Sequence, residues 1–203
     1  TTEYKGGSIT TGGVEGRTKI ARGLSNNSFN FYQTVKEIPN GVYLMTINGL
    51  FRSGSDIYSK FYAGQLYLNN TYNYVMSIGE DYITESDAKP NENCLGESGD
   101  AAYAGLEENG FVPKSINGCS YAFSANRYLN FCATEVTDST LTIGVRNLGT
   151  GMTNDWLPFG NVHVVYLGTA EEANEKLAEV LAGYAQRAQV IIDFRSNDDL
   201  DND

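Results

Sequence analysis

A lone histidine, a scatter of loop carboxylates, three cysteines and fourteen tyrosines are the side chains of this sequence best equipped for chemistry. His163 falls in the run Phe159-Gly160-Asn161-Val162-His163-Val164-Val165-Tyr166-Leu167, whose alternation makes Val162, Val164 and Tyr166 the core face and turns His163 outward. No Ser-His-Asp pattern surrounds it, and a general base needs an orienting partner, so it reads as a structural or solvent-facing residue. Glu80, Asp81, Asp100, Glu107 and Glu108 lie in or near loops, where two carboxylates facing across a cleft could hydrolyse a glycoside. Acidic residues decorate every solvated surface of a chain with a formal charge of -11, so catalysis is not expected from them. Cys94, Cys119 and Cys132 match no metal knuckle, and no phosphate-binding glycine loop occurs, so neither metal nor cofactor is expected. Cys119 and Cys132 are either buried thiols or one bridge.

The tyrosines are the more informative set. Sugar rings present C–H faces that pack on aromatic planes, while their hydroxyls need fixed polar partners such as Arg, Asp and Asn. Tyr58, Tyr72, Tyr74 and Tyr82 fall in loops or at strand ends, Arg52 closes a long strand, and Asp155-Trp156 stands at the entry to the last one. Arg52, Tyr58, Tyr72, Tyr74, Tyr82, Asp155 and Trp156 are therefore the candidate ligand-binding residues, on a loop edge formed by 52–58, 72–82 and 149–156. Trp156 has two roles open to it at that position, packing and sugar platform, and packing leads.

Strands must position these groups. Pro39-Asn40-Gly41 launches Val42–Arg52, in which Tyr43, Met45, Ile47 and Phe51 share one face at period two. Phe29–Val35 alternates likewise. Phe61–Leu68 and Tyr72–Ile78 join through Asn69-Asn70, and Tyr128–Val136 turns at Asp138-Ser139 into Leu141–Arg146, with Leu141, Ile143 and Val145 inward. Residues 1–28 read as loop plus edge strand, 79–93 as a polar surface excursion, 101–108 as a short helix capped by Asp100, and 119–125 as a weaker one. Seven or eight strands without βαβ alternation predict two packed antiparallel sheets.

After Gly168 the period changes. Thr169-Ala170-Glu171-Glu172 is a capping box, and Ala173, Leu177, Leu181, Tyr184, Ala188 and Ile191 recur at helical spacing. The expected organisation is a sandwich over 1–168, an amphipathic helix over 169–195 and an acidic disordered tail over 196–203. The tail's alternating carboxylates lack the glycine and distal Glu of a calcium loop. Residues 170–203 hold 3 Lys/Arg against 9 Asp/Glu, and the acidic balance of the whole chain disfavours nucleic acid and anionic membrane surfaces. No stretch approaches the roughly 20 apolar residues of a membrane span. The start at Thr1, with neither Met nor leader, reads as a trimmed or processed fragment.

Asn27-Ser28-Phe29 with Tyr32-Gln33, Pro39–Tyr43, Gly49-Leu50-Phe51-Arg52, Leu66-Tyr67, Met76-Ser77-Ile78, Val112-Pro113, Leu141–Gly144 and Asp155-Trp156 occur in an order that resembles the galactose-binding-like jelly-roll modules of secreted and surface proteins from Bacteroidota. The matching pattern covers most of residues 27–168. The resemblance implies an all-β jelly-roll sandwich with a C-terminal α-helix, placed outside the cytoplasm. It implies a non-catalytic carbohydrate-binding or adhesion unit of a larger surface protein, its partner a weakly bound glycan or, as a structural spacer, another protein. The family's last strand usually carries Phe-Asp-Asn where this chain has Phe159-Gly160-Asn161, one carboxylate fewer.

Overall fold

The computed structural model describes residues 2–5, 9–23, 28–52, 62–77, 113, 116–149, 155–180 and 182–183. Ten strands form within them: β1 (Thr2–Lys5), β2 (Ile9–Gly12), β3 (Ile20–Gly23), β4 (Phe29–Lys36), β5 (Gly41–Gly49), β6 (Gly64–Leu68), β7 (Thr71–Tyr74), β8 (Leu129–Val136), β9 (Thr140–Asn147) and β10 (Pro158–Gly168). Helix α1 spans Ile116–Ser124, and α2 covers residues 170–180. The strands build two five-stranded sheets, β1-β4-β9-β6-β7 and β2-β3-β10-β5-β8, with antiparallel neighbours throughout. The expected two-sheet, all-β architecture is present. Among the described residues no helix is long and apolar enough to cross a membrane.

Each connection has a local cause. At the start of β5, Gly41 has φ 140°, and a Cβ there would collide with Gly168 O and the Tyr166 ring, so the turn before β5 requires glycine. Asn69 takes φ 50° in the β6–β7 turn and clamps β9, its Nδ2 donating to Thr140 O at 3.2 Å and its Oδ1 accepting from Thr142 N at 2.7 Å. Asp138 Oδ1 accepts from Thr140 N at 3.1 Å to close the β8–β9 turn. At the end of α1, Asn126 adopts φ 58° and the Arg127 N–H returns to Ala122 O at 2.9 Å.

Between the sheets lie Met45, Ile47, Phe51, Leu66, Leu68, Val75, Leu141, Val145, Leu157 and Phe159, all buried. Each such side chain contributes about 1.5–3 kcal/mol of transfer free energy. Helix α1 closes one margin through Cys119, Ala122 and Phe123 against Ile20, Leu50, Tyr128 and Trp156. Helix α2 packs Ala173, Leu177 and Val180 on the outer side of the second sheet, against Val42, Leu44, Ala133 and Leu167. Its start carries the expected Glu contact, with Thr169 N donating to Glu172 Oε2 at 2.9 Å.

Two expectations change. Residues 1–28 hold three strands, β1 to β3, which add an edge strand to the first sheet and two strands to the second. In β10 a register shift between Gly160 and His163 puts Val162 in a bulge, 46 % exposed, while Val164 still packs on the core. Tyr166 keeps the inward side opposite Tyr43, 5.1 Å between ring centroids, but sits at the open end of the sandwich and is exposed. Of the two readings open for Cys119 and Cys132, buried free thiols are present, in separate clusters. Cys94, the 101–108 helix, residues 184–195 of the C-terminal helix, and the tail lie outside the described residues.

Candidate functional site

Of the seven side chains expected to bind ligand, two groups are described. Arg52 and Trp156 form one. Their backbones exchange hydrogen bonds, Arg52 N to Trp156 O at 2.9 Å and Trp156 N to Arg52 O at 2.8 Å, and the guanidinium lies 4.7 Å from the indole centroid. Trp156 is buried in the α1 cluster and Asp155 beside it is buried too, so this group packs the margin of the sandwich. Tyr58 and Tyr82 lie outside the described residues, as do the loop carboxylates Glu80, Asp81, Asp100, Glu107 and Glu108.

Tyr72 and Tyr74 form the second group, and register explains their position. In β7 they stand opposite Tyr67 and Gln65 of β6, which stand opposite Gly144 and Arg146 of β9, and these in turn face Tyr32 and Asn30 of β4. Leu66, Leu68, Leu141 and Val145 alternate with them into the core, so all eight lie on the outer face of the first sheet. Tyr62, just before β6, joins this face: its ring is 5.5 Å from Tyr74, and Tyr74 is 5.7 Å from Tyr72 at an interplanar angle of 83°. The three rings are 53 %, 45 % and 43 % exposed in the order Tyr62, Tyr72, Tyr74. Large aromatic planes held edge to face in solvent are an uncommon use of so much apolar surface.

Beneath them the polar partners are fixed. Arg146 Nε donates to Oε1 of the buried Gln65 at 2.7 Å, and its guanidinium sits 4.9 Å from the Tyr67 centroid and 5.6 Å from that of Tyr72. Tyr67 lies across the sheet over Gly144, where a Cβ would strike its ring, and its hydroxyl donates to Asn30 Oδ1 at 2.7 Å. Burial pushes the Tyr67 phenol up, against the lowering pull of the Asn30 hydrogen bond and of the Arg146 charge. The result is an aromatic strip with a clamped cation at its edge, able to stack on a ring and to donate hydrogen bonds from a fixed fork.

No family model, curated protein or solved structure matches this chain. The site therefore rests on its own geometry. Arg146, Tyr62, Gln65 and Tyr67 are the members that sequence reading missed. One signal was available: Leu141-Thr142-Ile143-Gly144-Val145-Arg146 alternates cleanly, so Gly144 and Arg146 share the outward face, and a glycine inside a strand marks close approach by another group.

A second concavity of about 320 Å³ opens on the outer side of the second sheet, lined in part by Thr46, Asn48, Asn126, Asn161, His163 and Val180. The β10 bulge builds it. Asn161, at φ 49°, sends its Nδ2 to Asn48 Oδ1 at 2.9 Å and to Phe123 O at 3.2 Å, while Asn48 Nδ2 donates to Arg127 O at 2.7 Å. His163 is exposed at its mouth, and the lining is amide, hydroxyl, imidazole and aliphatic, a set suited to hydrogen bonding. Among the described residues no three His, Cys, Asp or Glu side chains gather as metal ligands.

Proposed function

We propose that this chain is a non-catalytic carbohydrate-binding module that captures glycan through the outer face of the first sheet. The observation that carries this reading is the array of three exposed, mutually packed tyrosines beside the Arg146–Gln65 pair. Stacking planes and a fixed donor fork are the two things a pyranose needs, and their placement on a rigid sheet minimises ordering cost. Few groups surround an open ligand here, so affinity falls in the high-micromolar to millimolar range, about 4–6 kcal/mol.

The sandwich is, on this reading, a jelly roll of the galactose-binding-like kind. Setting aside the short β1 and β2 leaves β4-β9-β6-β7 against β3-β10-β5-β8, the alternation between sheets that two interleaved Greek keys produce. With the motif order of residues 27–168, this supports an extracytoplasmic module of a larger surface protein, of the type found in Bacteroidota, serving glycan capture or adhesion.

Exposed Phe131 and Val165 on the second sheet favour a second reading, a spacer or protein-interaction domain without a small ligand. A glycan array separates the two. Binding to at least one glycan, lost in Tyr72→Ala and Tyr74→Ala variants that melt like the wild type, supports the module; silence across the array supports the spacer.

A further inference from the structure

We propose that the tyrosine face selects an acidic sugar, with the Arg146 guanidinium taking the carboxylate of a uronate residue while Tyr72 and Tyr74 hold its ring and its neighbour's. This rests on the carbohydrate reading and adds the ligand's charge. The first support is the state of Arg146. Its Nε is used by a neutral amide, Gln65, and its plane is flanked by two tyrosine rings, but among the described residues no carboxylate lies within salt-bridge distance of it. A half-buried guanidinium usually acquires an acid, because its remaining N–H groups form a planar fork that matches two carboxylate oxygens. Among the described residues that fork is left without an acid.

The second support is the sign of charge around it. The outward positions of β4, β9, β6 and β7 are Asn30, Tyr32, Thr34 and Lys36, then Thr140, Thr142, Gly144 and Arg146, then Gln65 and Tyr67, then Tyr72 and Tyr74. The two charges among these twelve residues are both positive. Among the described residues the densest run of acid is on α2, which carries Glu171, Glu172, Glu175 and Glu179 and packs on the outer side of the second sheet. Both sheets and the core between them separate α2 from Arg146. Neutral sugars would stack on the tyrosines and accept hydrogen bonds from the fork but leave its charge unmatched.

Affinity electrophoresis and calorimetry of the full chain distinguish the outcomes, with polygalacturonate, its fully methyl-esterified form, a neutral β-glucan and dextran sulfate as probes. Polygalacturonate should bind roughly tenfold to a hundredfold more tightly than the methyl ester, the effect of losing one charge-assisted contact. Arg146→Gln should erase that preference, Arg146→Lys should restore part of it, and Tyr72→Ala should weaken every binder. The wild-type comparison of acid with ester needs no variant, so a folding defect in Arg146→Gln leaves the inference testable. Equal binding of acid and ester, or of neutral glucan and polygalacturonate, overturns the acidic preference and leaves the carbohydrate reading intact. Dextran sulfate bound as tightly as polygalacturonate overturns the uronate assignment. Failure of all four probes and of a broad glycan array overturns both readings.

Discussion

Replacing Gly144 with alanine tests whether the tyrosine face is built as described. Its new Cβ would lie 2.5 Å from Tyr67 Oη and closer still to Cζ and Cε1, so the ring must leave its place across β9. Forcing a methyl into a packed contact costs about 1–3 kcal/mol. Displacing the ring also breaks the 2.7 Å Tyr67–Asn30 hydrogen bond, about 1 kcal/mol more. Alanine returns about 0.5–1 kcal/mol by restricting the unfolded chain. The net loss is about 1–3.5 kcal/mol, which at about 2–4 °C per kcal/mol for a chain of this size lowers Tm by roughly 2–14 °C. Urea and thermal melts of wild type, Gly144→Ala, Tyr67→Ala and the double variant measure it. With the ring removed, Gly144→Ala should be neutral or slightly stabilising. The reasoning is refuted if Gly144→Ala is as stable as wild type, or if it is equally damaging in both backgrounds.

Asn130 stitches three segments, its Nδ2 donating to Gly49 O at 2.8 Å and Tyr128 O at 2.7 Å while its Oδ1 accepts from Met76 N at 2.7 Å. Asn130→Leu should cost about 3 kcal/mol by removing three hydrogen bonds, two of them buried, and a change below about 1 kcal/mol in urea unfolding would contradict this role. The Thr169 N–H, and secondarily Lys176, hold the Glu172 carboxyl below its usual range. A depressed folded pKa means the carboxylate's contribution is present above the ordinary value of 4.5 and lost as pH falls through the lower folded one, so Glu172→Gln should lower helicity by circular dichroism at neutral pH and match wild type in strong acid. A gap that persists unchanged in acid would exclude the ionised cap. Burial pushes the Cys119 and Cys132 thiols up, so neither should react with a thiol reagent at pH about 8 until the chain unfolds; rapid labelling of both in native protein would contradict their packing.

Legibility followed periodicity. The alternation that placed Tyr43, Met45 and Ile47 inward gave β5 its core face, and the Asn69-Asn70 and Asp138-Ser139 turns marked two hairpins, Asn69 by adopting φ 50° and Asp138 by accepting from Thr140 N. The β10 bulge was not readable, since one inserted residue moves Val162 off the core face without altering the apolar pattern. Thr46 and Asn48 alternate as surface residues yet are buried, because the bulge and α2 crowd the outer side of β5, a tertiary fact. Tyr72 and Tyr74 were identifiable as candidate binding aromatics in loops or at strand ends. Their partnership with Arg146 was not, because it joins positions more than seventy residues apart through the β7-β6-β9 register.

The most direct test of the central claim is an NMR titration of the isotope-labelled chain with a glycan that it binds on an array, following the Tyr62, Tyr72 and Tyr74 ring resonances and the Arg146 Nε–H. Glycan capture by the first sheet predicts shifts that concentrate on these four side chains and on the β6 and β7 amides, and that vanish with Tyr72→Ala. Shifts confined to the Asn48–His163 concavity or to α2, with the tyrosine face unmoved, would contradict it.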